Sequence, residues 1–192
     1  LSKMLFPKMA VSNIRKNKKL YVPYIITAIF TVMMFFMNIS IVKNKNVAAM
    51  RGGQNVVLLL QVALVVSFIF SAIFLFYTNS FLMKRRTKEI GLYNILGMEK
   101  KHISLMMLFE NVIITTISLT AGIVFGIIFS RLMFLVLMKL IKADSVPAFV
   151  ISTNAVAVTI IYFISIFAVI YIYIILSRYR SLSQLNFFTA TR

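Results

Sequence analysis

Four long stretches of this chain carry almost no charge, and that feature decides what it can fold into. Leu20 to Val42, Gly52 to Met83 and Ser145 to Ser177 contain no Asp, Glu, Lys or Arg, and Ile103 to Ser130 contains only Glu110. Roughly 20 apolar residues in a helix cross a hydrocarbon core. No water is available there to pair with peptide groups, so each run must satisfy its own backbone as a helix. The expected fold is all-α, an integral membrane bundle of four transmembrane helices. The expected segments are a cytoplasmic amphipathic stretch over 1–19, spans over 20–42, 55–83, 103–130 and 154–177, a cytoplasmic segment over 84–102, an outer segment over 131–153 and a cytoplasmic tail over 178–192. Together they form one transmembrane domain, 1–192.

Composition agrees. The chain is 61% hydrophobic, with a mean hydropathy of +0.95, which leaves too few polar residues to cover a soluble fold. The net charge of +17 could suit a nucleic-acid binder. The basic residues, however, fall in clusters between the apolar runs, as membrane flanks do, so no nucleic-acid partner is expected. There are no cysteines, which removes disulfides, thiolate metal sites and a thiol nucleophile. The first apolar run is too long for a signal-peptide core and is expected to be retained.

The basic clusters also orient the chain. Six Lys and Arg precede Leu20, six lie between the second and third runs, and three follow Ser177. The two segments on the opposite side hold three each. The positive-inside rule places both termini and the segment over 84–102 in the cytoplasm of a multi-pass plasma-membrane protein. The stretch before Leu20 is amphipathic if helical. Phe6, Ala10, Ile14 and Asn17 share one face, and Lys8, Arg15, Lys16 and Lys19 the other. Such an interfacial helix would turn its basic face to anionic lipid headgroups.

Between the second and third spans, Lys84 to Ile103 joins a basic start, an apolar centre and a stop at Gly97, which suits a helix C′ position. The apolar residues imply a short helix resting on lipid or on a protein partner. Arg85-Arg86, Glu89-Ile90-Gly91-Leu92, Leu96-Gly97-Met98 and then Ile103 resemble the signature of the FtsX-like permease family, with Met98 where the family usually has Ala. Glu110, Gly122 and Gly126 fall where that family has its early glutamate and later glycines. Ala10 to Tyr21, followed by Pro23-Tyr24-Ile25-Ile26-Thr27, resembles the start of its bacitracin-type, peptide-resistance members. The short connection between the first two spans fits those members too, because it cannot hold a domain.

The resemblance implies a fold with a cytoplasmic coupling helix, and a permease subunit or half-subunit of an ABC transporter. Arg85, Arg86, Glu89, Ile90, Gly91, Leu92, Leu96, Gly97 and Met98 would then contact a cytoplasmic ABC ATPase, in two copies. A second permease half and a sensor histidine kinase are further implied partners, and efflux, target release or sensing of peptide antibiotics is the implied role. The alternative is a non-transporting scaffold, a signalling subunit or a truncated permease fragment, a reading suggested by Leu at position 1 and by a tail that leaves the family pattern.

The chain itself offers no catalytic, metal or cofactor site. Its six glycines form no phosphate-binding loop, and no nucleophile–base set or paired carboxylates stand together. His102 has no second histidine or cysteine beside it and is expected as a solvated interface residue. Glu110, about two helical turns into the third span, is an intramembrane charge. It is open to reading as a salt bridge to Lys or Arg near the inner interface, as a proton or ion site, or as a neutral or snorkelling carboxyl. A lone carboxylate is a poor basis for a proton pathway, so the salt bridge is preferred. Small residues recur at helix spacing, Ala63, Ser67 and Ser71 on the second span and Ser118, Gly122 and Gly126 on the third. They predict a close contact between those two spans.

Overall fold

A computed structural model describes residues 5–44, 47, 53–95, 97, 100–140 and 152–189. Five helices make up the described residues: α1, Leu5–Lys16; α2, Lys18–Val42; α3, Gly53–Ile95; α4, Lys100–Leu140; and α5, Thr153–Thr189. Four stretches within them are long and apolar enough to cross a membrane, Lys18–Val42, Gln54–Arg86, Lys101–Leu140 and Thr153–Leu176. Several hydroxyls inside the spans are satisfied locally. Thr31, Thr78, Thr115, Thr116, Thr159 and Ser165 each donate to the carbonyl four residues back, the standard way to carry a hydroxyl in a lipid-facing helix.

The helix bounds differ from the expected segments in two places. α3 does not stop at the inner flank for a separate coupling helix, but continues from Gly53 to Ile95. Lys84 to Leu92 contains no proline, and nothing lies within 4 Å of where a side chain on Gly91 would project, so the helix runs on into its polar flank. Gly97, at φ 84°, then turns the chain in left-handed backbone, as a C′ glycine does. α4 likewise continues past Ser130 to Leu140, because Arg131 and Lys139 are the only charges in an otherwise apolar, unbroken stretch.

α2 is the centre of the bundle. It packs along α4 over most of its length, and also on α3 and α5, whereas α3 and α4 barely touch. A continuous apolar core follows from α2, through Tyr24, Ala28, Val32, Phe35 and Phe36, to Ile114 and Leu119 of α4 and Phe163 and Phe167 of α5. A smaller cluster, Ile41, Val47, Phe134 and Met138, closes the other end.

The small-residue face of α4 meets α2, not α3. A Cβ at Gly122 would stand 2.6 Å from Val32 Cβ, and one at Gly126 would stand 2.7 Å from Phe36 Cδ1. The predicted pairing of the second and third spans is therefore corrected. Small residues fix where a backbone comes close but not which neighbour comes, and here large side chains of α2 fill the space over the glycines. Ser118, on the same stripe, is fully buried. On α3, Ser67 accepts from Asn38 of α2 at 3.3 Å, and Ser71 pairs with the Tyr162 hydroxyl of α5 at 2.7 Å. Ala63 is half-buried on that helix.

Candidate functional site

α1 ends at Lys16 because Asn17 leaves helical backbone, at φ −102° and ψ 35°. Pro23 follows closely and cannot donate to Lys19, which weakens the first turns of α2. The break lets α1 lie along the start of α4 while α2 rises beside it. α1 places its apolar face on protein: Ala10 is fully buried and Phe6 stacks on His102, with ring centroids 5.5 Å apart. His102, expected as solvated, is thus half-buried. Lys8, Arg15, Lys16, Lys18 and Lys19 remain exposed on the opposite side.

Where α1, α2, α3 and α4 converge, six polar side chains meet. Arg86 of α3 is fully buried and Glu110 of α4 is 3% exposed. Arg86 Nη1 donates to Glu110 Oε2 and to the Tyr21 hydroxyl, and Nη2 donates to Glu110 Oε1 at 3.2 Å. The Tyr21 hydroxyl donates to Glu110 Oε2 at 2.8 Å, and Asn13 Nδ2 to Oε1 at 2.7 Å. Glu110 is thereby engaged at both oxygens by α1, α2 and α3. Asn17 donates to Asn13 Oδ1 at 3.2 Å and to Glu89 Oε2 at 2.9 Å, and Glu89 lies 3.6 Å from Arg86 Nε. The guanidinium also sits over the Tyr21 ring, 5.2 Å from its centroid.

An isolated charge at this depth would be costly. Paired, with its lone pairs used, a carboxylate and a guanidinium can be held without water. The arrangement is chemically a set of fixed, charge-assisted hydrogen bonds with no reactive group beside it. It connects elements and is suited to holding them in register.

This geometry corrects one expected ATPase contact. Arg86 points into the bundle and offers nothing to an outside partner. Glu89 bonds to Asn17 through one oxygen and remains partly exposed. Arg85, in contrast, is exposed, its guanidinium 4.7 Å from the Phe81 ring centroid. Gly91, Leu92 and Gly97 are exposed as well. The side chain of Ile90, and residues Leu96 and Met98, lie outside what is described. Asn13 and Tyr21 were not singled out from sequence. The available signal was two asparagines, Asn13 and Asn17, on the same face as Ala10 and Ile14, with Tyr21 one turn further on.

A second cross-helix contact lies deeper in the spans. The Tyr162 ring is stacked between Phe35 of α2 and Phe68 of α3, at centroid distances of 4.7 Å and 4.2 Å. Its hydroxyl pairs with Ser71 and donates to the Phe68 carbonyl.

A family model described as FtsX-like permease C-terminal matches residues 61–183. The chain belongs to the FtsX-like permease family. The resemblance read from the Arg85 to Met98 stretch and Glu110 is borne out, and the matched region contains Arg86, Glu89 and Glu110. Among curated relatives, the chain is 32% identical over 176 residues to the uncharacterized ABC transporter permease YvcS of Bacillus subtilis, covering 91% of this chain and 27% of that protein. It is 28% identical over 181 residues to the bacitracin export permease protein BceB of Halalkalibacterium halodurans, covering 94% and 27%. It is 30% identical over 167 residues to BceB of B. subtilis, covering 86% and 26%. The chain spans about a quarter of the length of these FtsX-like relatives. Membership and the four apolar spans together make it a multi-pass membrane protein.

Proposed function

We propose that this chain is part of the permease of an ABC transporter and that it couples a separate cytoplasmic ATPase to movement of the spans. The observation that carries this is the extension of α3 beyond Arg86. It leaves the apolar stretch just after the exposed Arg85, presents Leu92 at 56% exposure, and runs to Ile95, ahead of the left-handed Gly97. An apolar side chain displayed on a charged helix past the end of a span is what a docking surface needs. The relatives named as ABC transporter permeases support the same reading. Both termini and the α3–α4 connection would face the cytoplasm, by the distribution of Lys and Arg. The exposed cations of α1 would face anionic headgroups. The ATPase would act in two copies, and a second permease half would complete the unit. Peptide antibiotics such as bacitracin are the proposed substrate class, for export, target release or sensing with a histidine kinase.

The test is recovery of the cognate ATPase by tagged full-length permease in detergent. A buried apolar side chain contributes roughly 1.5–3 kcal/mol, and about 1.4 kcal/mol is tenfold in affinity. Leu92→Asp and Ile90→Asp are expected to weaken recovery by about tenfold or more, with Lys45→Ala unchanged. Equal recovery from all of them would remove the docking role.

A further inference from the structure

We propose that Arg86, Glu110 and Tyr21 form a joint that passes movement of α3 and its extension to α1, α2 and α4. The proposal rests on the coupling reading only for what pushes on the extension. The joint itself rests on geometry.

Along its span α3 packs on α2 and places Leu75 and Leu82 in the core, but only 6% of its most apolar window is buried, against 44% for α2, and it barely touches α4 or α5. Its inner end is different. There Arg86 uses both Nη atoms on Glu110 of α4 and one on Tyr21 of α2, and Glu110 also holds Asn13 of α1. Glu89, one turn further along, is bonded by Asn17 at the α1–α2 break. The bonds to Glu110 are charge-assisted and buried, where they are stronger and more directional than in water.

The three helices on the other side of the joint form one body. α2 and α4 approach closely at Gly122 and Gly126, and α1 is buried against α4 at Ala10. A displacement applied near Leu92 runs up the unbroken helix α3 and also crosses at Arg86 into the α1–α2–α4 body. The polar cluster makes that crossing stiff, and Arg86, Glu110 and Tyr21 are its positioning residues. Lys84 and Arg85, on the same flank, are exposed.

The test uses the full-length permease with its ATPase, in membranes, with any cysteine outside this segment replaced; the segment has none. Asn17→Cys and Glu89→Cys report the joint through a short bifunctional thiol reagent. Crosslinking is expected to be strong in the parent background and to fall about tenfold, the change that 1.4 kcal/mol produces, in Arg86→Gln and in Glu110→Gln. It should return in the exchanged pair Arg86→Glu/Glu110→Arg. In the same single variants without the cysteines, ATPase recovery should stay within about twofold of the parent, while permease-dependent ATP hydrolysis falls by about tenfold or more and recovers on exchange. A merely structural role would lower ATPase recovery together with hydrolysis. Parental crosslinking in both single variants overturns the joint, and so does parental hydrolysis in variants whose crosslink is lost. If the parent itself recovers no ATPase, the docking reading fails and the crosslinking arm decides the joint alone.

Discussion

Arg86 of α3 and Glu110 of α4 form an ion pair inside the bundle, with both side chains essentially closed to solvent. Such a pair is not in itself a large gain, because desolvation offsets the attraction. Removing one partner is what costs, about 3–5 kcal/mol, since the other charge stays buried and unpaired. Arg86→Ala and Glu110→Ala should each lower the thermal midpoint of the detergent-solubilised protein strongly. The double variant Arg86→Met/Glu110→Leu should lose less than either. The coupling energy of the cycle is expected in the range of about 0.5–3 kcal/mol found for groups in contact, and a double variant equal to the sum of the singles would show that the two side chains act independently.

The close approach of α2 and α4 gives a second expectation. A side chain at 122 or 126 has to displace Val32 or Phe36, and neither is the far end of a flexible chain. Gly122→Leu and Gly126→Leu should therefore separate α2 from α4 and destabilise the bundle by more than about 1–3 kcal/mol, the usual cost of overpacking. Cysteine pairs 32–122 and 36–126 should crosslink in the parent background, whereas 67–122 should not. Efficient 67–122 crosslinking with silent 32–122 would return the glycine face to α3.

How far the sequence revealed this can be judged from these residues. The four spans were legible because hydrocarbon permits few solutions for an uncharged stretch. Glu110 stood out as the lone charge in its run, and a salt bridge was the preferred reading of it. Its partner was not identifiable, since Arg86 sits among Lys84, Arg85 and Lys88 and nothing local distinguishes it. Whether a cation faces outward or inward depends on helix phase, which the continuation of α3 through the flank sets. The glycines announced a close contact but not its owner. Nothing in the sequence singles out Asn13, and only the packing of α1 on α4 brings it to a carboxylate.

Orientation across the membrane is a separate expectation, read from charge alone. Single cysteines at Asn17, Lys88 and Tyr179 should be shielded from an impermeant thiol reagent added outside, and those at Asn46 and Asp144 should react. Outside labelling at Lys88 would invert the arrangement and leave the α3 extension with no cytoplasmic ATPase to meet.

The last prediction concerns what holds the middle of α3. Beside Leu75 in the core, the stacking of Tyr162 on Phe35 and Phe68 ties that span to α2 and α5. Two contributions can be separated there. The stacked rings of Phe35, Tyr162 and Phe68 supply about 0.5–1.5 kcal/mol per pair beyond the area they bury. The hydroxyl's bonds to Ser71 and to the Phe68 carbonyl supply less, since interhelical hydrogen bonds in membranes average about 0.6 kcal/mol. Tyr162→Phe should accordingly cost little and Tyr162→Ala a good deal more. Asn38 and Ser67, 3.3 Å apart at their polar atoms, provide a cysteine pair that reports whether α3 stays on α2. Crosslinking of 38–67 should persist in Tyr162→Phe and fall in Tyr162→Ala. If the two substitutions lower it equally, the hydroxyl and not the ring stack is what keeps α3 in place.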